Sequence, residues 1–240
     1  MNNQYLSIIL LLSFLMIGCQ TTSSSVQSEQ DTINSMEKVE NYDGLIALYK
    51  SHLEAGNGND EIIEKLAWAY FDKGDIESSS FYVEHLVAES NPKGTLFQLQ
   101  GQIYDSNNEA EKAAEAYLQA IELGQSRWDI YVLLGVAYSK QSRFVEAREE
   151  FNQARLLGAD DVTIKNNIAM LYLAQHDYQS VINTLIPVLK DNPTNTIIRA
   201  NLAIALIKNN QTDAARKLLA EDYTEREINL ISHQLATSGS

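Results

Sequence analysis

Self-similarity at a fixed spacing constrains this chain more than any other feature. Ala67, Gly101, Gly135, Ala169 and Ala203 are all small and each stands 34 residues after the last. Three residues on come Tyr70, Tyr104, Tyr138, Tyr172 and Leu206; with 12 tyrosines in 240 residues, four in one register slot is not chance. Twelve residues past each small position come Ser79, Ala113, Ala147, Val181 and Ala215, and four further on Val83, Tyr117, Phe151, Leu185 and Leu219. A period of this length marks an array in which one supersecondary unit cannot bury its apolar face alone, so that stacked neighbours share a core. Inside a unit the apolar residues recur at helical spacing, as in Ile130, Leu133, Leu134, Ala137 and Tyr138. Breaks such as Lys73-Gly74-Asp75 and Gln141-Ser142-Arg143 then separate two helical stretches. Glycine inside a helix costs about 1 kcal/mol against alanine, so Gly135 predicts a close approach of two helices.

The period and pattern resemble the tetratricopeptide repeat, with the best copy running from Trp128 to Ala159. The fourth unit ends on Pro193, as that motif expects. Departures are local: Pro92 is one place late, Gln100 stands for the usual Leu, and Asp222 replaces a small residue. The resemblance implies an all-α fold, a right-handed superhelical solenoid of about five repeats with helical caps. The repeats fall at 60–93, 94–127, 128–161, 162–195 and 196–222. Residues 41–59 form an N-terminal capping helix, since Tyr42 to Leu53 keeps the register of a second helix with Tyr49 in the aromatic slot. Its closing turn is the GNGND stretch at 56–60. Residues 223–240 form a C-terminal capping helix and tail, carried by the stripe Ile228, Ile231 and Leu235.

The N-terminus is of a different kind. Leu6 to Ile17 holds ten hydrophobic residues in twelve, too short for a bilayer core, which needs about 20 residues of helix. It has the length of a signal-peptide hydrophobic region, and small Gly18 before the only cysteine suits a processing site. Met16-Ile17-Gly18-Cys19 resembles the lipobox of bacterial lipoproteins, with Met for the usual Leu and an n-region, MNNQY, without Lys or Arg. The resemblance implies that 1–18 is a lipoprotein signal peptide and that Cys19 carries a covalent diacylglyceryl group and an N-acyl chain such as palmitate. Each buried CH₂ contributes about 0.8 kcal/mol, so two or three chains anchor stably. No other cofactor is implied. Gln20 in place of Asp implies the outer membrane; an inner- or plasma-membrane lipoprotein is the alternative. The polar stretch 19–40 is expected to be a flexible, lipidated tether.

A net charge of −14 with no dense Lys/Arg cluster excludes a nucleic-acid backbone as partner and gives no attraction to anionic lipid. The four histidines, His52, His85, His176 and His233, lack ligand spacing, so no metal site is expected. No nucleophile elbow and no phosphate-cradling glycine loop occur, so no catalytic residue or small-molecule substrate is expected. The residues read as a binding module and not as an enzyme.

In tetratricopeptide arrays the first helices line a concave groove through the second, fifth, ninth and twelfth positions of each unit. The resemblance places Trp68, Gln102, Val136, Met170 and Ile204 at the ninth positions, and Phe71, Asp105, Ser139, Leu173 and Ile207 at the twelfth. The fifth positions are Glu64, Gln98, Val132, Asn166 and Ala200, so the Lys/Asn pattern that clamps C-terminal carboxylates is missing. The groove is expected to take an amphipathic helix or apolar peptide, with Asn167 and Asn201 as hydrogen-bonding groups. The alternative is that the chain's own C-terminal helix covers these residues, or that they widen the core.

The last two repeats are similar to TadD, the family of tetratricopeptide lipoproteins in Flp pilus (tight-adherence) assembly. Asn166 to Ala169, Leu185 with Pro187, Pro193, Arg199, Asn201 to Ala205 and Asp222 carry the likeness. It implies an outer-membrane lipoprotein facing the periplasm, whose protein partner is a secretin or another pilus-assembly subunit. A scaffold that recruits cell-wall (peptidoglycan) enzymes is the second reading, and a subunit of an outer-membrane insertion or transport complex the third.

Overall fold

The computed structural model describes residues 18–89 and 92–237, with side chains for 27–88 and 92–235. These residues form thirteen helices, with no strand among them. The chain divides into two units, residues 1–92 and 93–240. The first holds α1 (Gly18–Lys38), α2 (Tyr42–Glu54), α3 (Asp60–Lys73) and α4 (Ile76–Glu89). The second holds α5 (Gly94–Ser106), α6 (Ala110–Glu122), α7 (Trp128–Lys140), α8 (Phe144–Leu156), α9 (Asp161–Ala174), α10 (Tyr178–Asp191), α11 (Thr196–Lys208), α12 (Thr212–Leu219) and α13 (Glu225–Thr237).

The turn inside each hairpin repeats as strictly as the sequence does. Gly74, Asn108, Ser142, His176 and Asn210 all take positive φ, between 58° and 87°. A residue in the left-handed region ends a helix and lets the chain fold back. Only glycine adopts it freely, so the other four are held there by the packing of the two helices they join. Glu40, one period before Gly74, has φ 54°. The α1–α2 pair is therefore a sixth hairpin in the same register.

This corrects the expectation of a flexible tether over 19–40. The described structure there is helical from Gly18 to Lys38, and α1 packs on α2. Ile33, one period before Ala67, is buried in a cluster with Leu45, Ile46, Tyr49, Leu66 and Tyr70, and Met36 lies against it. Two apolar side chains at the right register outweigh a polar average, because only one face of a helix needs to be apolar. Of the expected signal peptide, residues 1–18, all but Gly18 lie outside the described residues. Gly18 and Cys19 begin α1, with their side chains outside the described set. Among the described residues no helix is long and apolar enough to cross a membrane.

The small register slot is matched in size by its partner on the second helix. A Cβ on Gly101 would come within 2.4 Å of the Tyr117 ring, and one on Gly135 within 2.5 Å of the Phe151 ring. Where the slot is alanine, at 67, 169 and 203, the residue 16 positions on is the smaller Val83, Leu185 or Leu219. Glycine is required where the partner is aromatic. Ser79, buried in the first unit, satisfies its hydroxyl by donating to the Ala67 carbonyl at 2.9 Å.

The tyrosine slot has its own logic. Lys50 lies 5.5 Å from the Tyr70 ring centre, Lys112 5.4 Å from Tyr104, Arg143 4.1 Å from Tyr138 and Arg148 4.9 Å from Tyr172. Each such contact contributes about 0.5–1 kcal/mol at an exposed site. The slot keeps an aromatic face toward the core and offers the other to a neighbouring cation.

Candidate functional site: the first-helix face of the second unit

In the second unit the first helices α5, α7, α9 and α11 contact one another in order, while the second helices α6, α8 and α10 fill the gaps behind them. Positions 34 residues apart thus share one face. Val132 and Val136 on α7 pack at the edge of one core cluster, Met170 and Leu173 on α9 at the edge of the next, and all four stay half-exposed. They form an apolar strip across two repeats.

Polar groups flank the strip. Asn201 donates to the Asn166 side-chain oxygen at 2.8 Å, tying α11 to α9. The pairing uses Asn166; Asn167, expected with Asn201 as a hydrogen-bonding group of the groove, is half-exposed on the same helix. Lys140 donates to Asp105 at 2.7 Å and ties α7 to α5. An exposed ion pair of this type contributes about 0–1 kcal/mol, so it orients more than it stabilises.

At the C-terminal end the strip is covered. Ile204 and Ile207 on α11 face α13, and a pocket of about 340 Å³ between them is lined by Ala200, Ala203, Tyr223, Ile231 and Leu235. Ile207 is 4% exposed and belongs to the core, so it is not available to a partner. Ala200 is exposed and Ile204 half-buried, at the mouth of this pocket. The apolar stripe read for the closing helix explains the cover: Ile228 is fully buried and Ile231 packs on α11 and its neighbours. Trp68 and Phe71 belong to the first unit, where they meet edge to face at 6.2 Å and are half-buried. Among the described residues no group of three or more His, Cys, Asp or Glu is placed to hold a metal.

Hairpins stacked in a 34-residue register, with an apolar first-helix face, define an α-helical repeat protein built for protein contacts. Residues 99–161 and 172–221 each match a model described as tetratricopeptide repeat. The fold is the all-α superhelical solenoid of tetratricopeptide-repeat proteins. Proteins of this kind are in general non-enzymatic scaffolds for protein–protein interaction. The photosystem I assembly protein Ycf3 of Prochlorococcus marinus subsp. pastoris is 29% identical over 100 residues, which are 38% of this chain and 58% of that protein. The chain spans less than two thirds of the curated relatives it matches, 9% of one and 58% of the other. A tetratricopeptide repeat protein from Parabacteroides merdae has a TM-score of 0.63 at 13% identity, over 75% of this chain and 78% of its own. YrrB, described as a TPR protein with an unusual peptide-binding site, has a TM-score of 0.58 at 12% identity, over 78% of this chain and 97% of its own. At these identities the structures share the fold and nothing finer.

Proposed function

We propose that this chain is a lipid-anchored adaptor, held by acylated Cys19 at the periplasmic face of the outer membrane. It grips an apolar segment of a protein partner on the strip Val132, Val136, Met170 and Leu173. The observation that carries the reading is that strip: four half-exposed apolar side chains on two adjacent first helices, free of the cover that α13 gives to Ile204. Such an apolar strip suits the apolar stripe of one helix, which presents anchors at every third or fourth residue. The partner class follows from the likeness to the pilus lipoproteins: a secretin or another subunit of a Flp-type pilus, whose assembly or localisation this protein assists. Ycf3 is likewise named an assembly protein, and YrrB is described as having a peptide-binding site.

A photo-crosslinking residue at Val136, in cells, tests it. Capture of a secretin or pilus-assembly subunit, abolished by Met170→Glu in a protein that stays folded and lipidated, is the expected result. Capture of a peptidoglycan enzyme would replace the pilus reading with a cell-wall scaffold. No capture from a folded, lipidated protein would remove the strip as a partner site.

A further inference from the structure

The first unit holds a second site, distinct from the apolar strip. Between α1, α2 and α3 lies an open pocket of about 440 Å³. Tyr42, Tyr49 and Trp68 supply aromatic walls, and Glu37 and Asp72 supply carboxylates. Tyr49 is 4% exposed as a residue and lines the pocket, and no protein group among the described residues hydrogen-bonds its hydroxyl, which opens on the pocket.

Three cations nearby are engaged elsewhere. Lys65, which also lines the pocket, gives its ammonium to Glu61 at 2.7 Å. Lys73 pairs with Asp43 at 2.6 Å, and Lys50 lies over the Tyr70 ring. Neither Glu37 nor Asp72 has an ion-pair partner among the described residues. Burial, and then the charge of Glu37, raise the pKa of the Asp72 carboxyl, as expected of two acids that share a site without a counter-ion.

We infer that this pocket receives an arginine side chain of a protein partner. A guanidinium answers each feature at once: it stacks on aromatic faces, carries the opposite charge, and offers five N–H donors in one plane. Two of its edges can serve the carboxylates of Glu37 and Asp72, and a further N–H the phenol oxygen of Tyr49. The chain's net charge of −14 draws such a partner in. The inference stands apart from the apolar strip of the second unit, so either can fail alone.

The test is a titration of the full chain with the peptide acetyl-Gly-Arg-Gly-amide, read by Trp68 fluorescence in a Trp128→Phe background. A saturable change, weakened about tenfold or more by Glu37→Gln with Asp72→Asn, supports the site. The citrulline analogue, neutral and of the same shape, should give no saturable change to the unaltered pocket. Equal binding of citrulline would overturn the inference, as would no saturation with arginine. Equal binding of acetyl-Gly-Lys-Gly-amide would overturn the assignment to guanidinium.

Discussion

Arg199 Nη1 donates to Asp222 Oδ2 at 2.5 Å, while Nη2 donates to the Pro193 carbonyl at 2.6 Å. Arg199 is 8% exposed although charged. One guanidinium thereby fastens the loop that enters α11 to the segment that leaves α12. These three positions are among those read as resembling the pilus lipoproteins, and here they form a clamp within the chain. Arg199→Ala should cost about 2 kcal/mol, the range for hydrogen bonds to charged groups. Asp222→Asn should cost less, since its amide oxygen still accepts. Urea unfolding measures both; an Arg199→Ala loss under about 0.5 kcal/mol would show the clamp to be decorative.

The α1 hairpin makes a prediction opposite to that of a tether. Amide hydrogens across 27–38 should exchange slowly, because α1 is held by Ile33 and Met36 against the core of its unit. Ile33→Ala should destabilise that unit by about 2 kcal/mol or more, through a cavity next to Tyr49. Fast exchange throughout 27–38 with a silent Ile33→Ala would return the segment to a tether.

Glycine and aromatic are coupled at the helix crossings. Gly135→Ala gains helix propensity worth about 1 kcal/mol but drives a methyl into Phe151 and toward the Ala147 carbonyl, an overpacking that costs about 1–3 kcal/mol. The net should be a loss. Adding Phe151→Leu, the pairing the chain itself uses at Ala169 and Leu185, should recover most of it. A double variant no more stable than Gly135→Ala alone would contradict the size coupling. At Tyr117 the same slot carries a hydroxyl that is buried with no protein partner among the described residues. Tyr117→Phe, which reproduces the residue at 151, should leave stability unchanged or raise it by about 1 kcal/mol. A clear loss in thermal melts would mean the hydroxyl is satisfied.

Much of this was legible because a repeat states each rule several times. The slots at Gly101, Tyr104 and Tyr117 recur 34 residues later, and the stripe Ile228, Ile231 and Leu235 read as a closing helix is the face α13 buries. What escaped needs contacts between non-equivalent positions. Ile33 is one apolar residue among polar neighbours, and its register with Ala67 counts only once α2 is seen to pack beneath it. Ile207 looks like any apolar groove position until α13 covers it. Asn201 reads as a hydrogen-bonding group of the groove until the crossing of α9 and α11 pairs its amide with Asn166. The pocket at Glu37, Tyr49 and Asp72 joins three helices, one of which was expected to be a tether.

Acid should act on this protein in two opposing stages. Glu150 is half-buried, and burial, followed by the charge of Glu149, raises its pKa in the folded state. A carboxyl with a raised folded pKa binds its proton more tightly folded than unfolded, so its penalty is full above the folded pKa. The penalty fades as pH falls toward the unfolded value, about 4.3. Asp75, Asp160 and Asp177 behave in the opposite sense. Backbone and side-chain hydrogen bonds from Ser78, Thr163 and Ser180, at the starts of α4, α9 and α10, hold their carboxyls below the ordinary range. Their contribution is complete above the unfolded Asp value, about 3.9, and disappears as pH falls through their folded values. Melting temperature should therefore rise as pH falls through the raised folded value of Glu150 toward about 4.3, and fall as pH drops further through the depressed folded values of the three aspartates. Glu150→Gln should raise stability at pH 7 by no more than about 1 kcal/mol, and the gain should vanish near pH 4. A gain that persists unchanged at low pH would mean that packing, not charge, separates the two side chains.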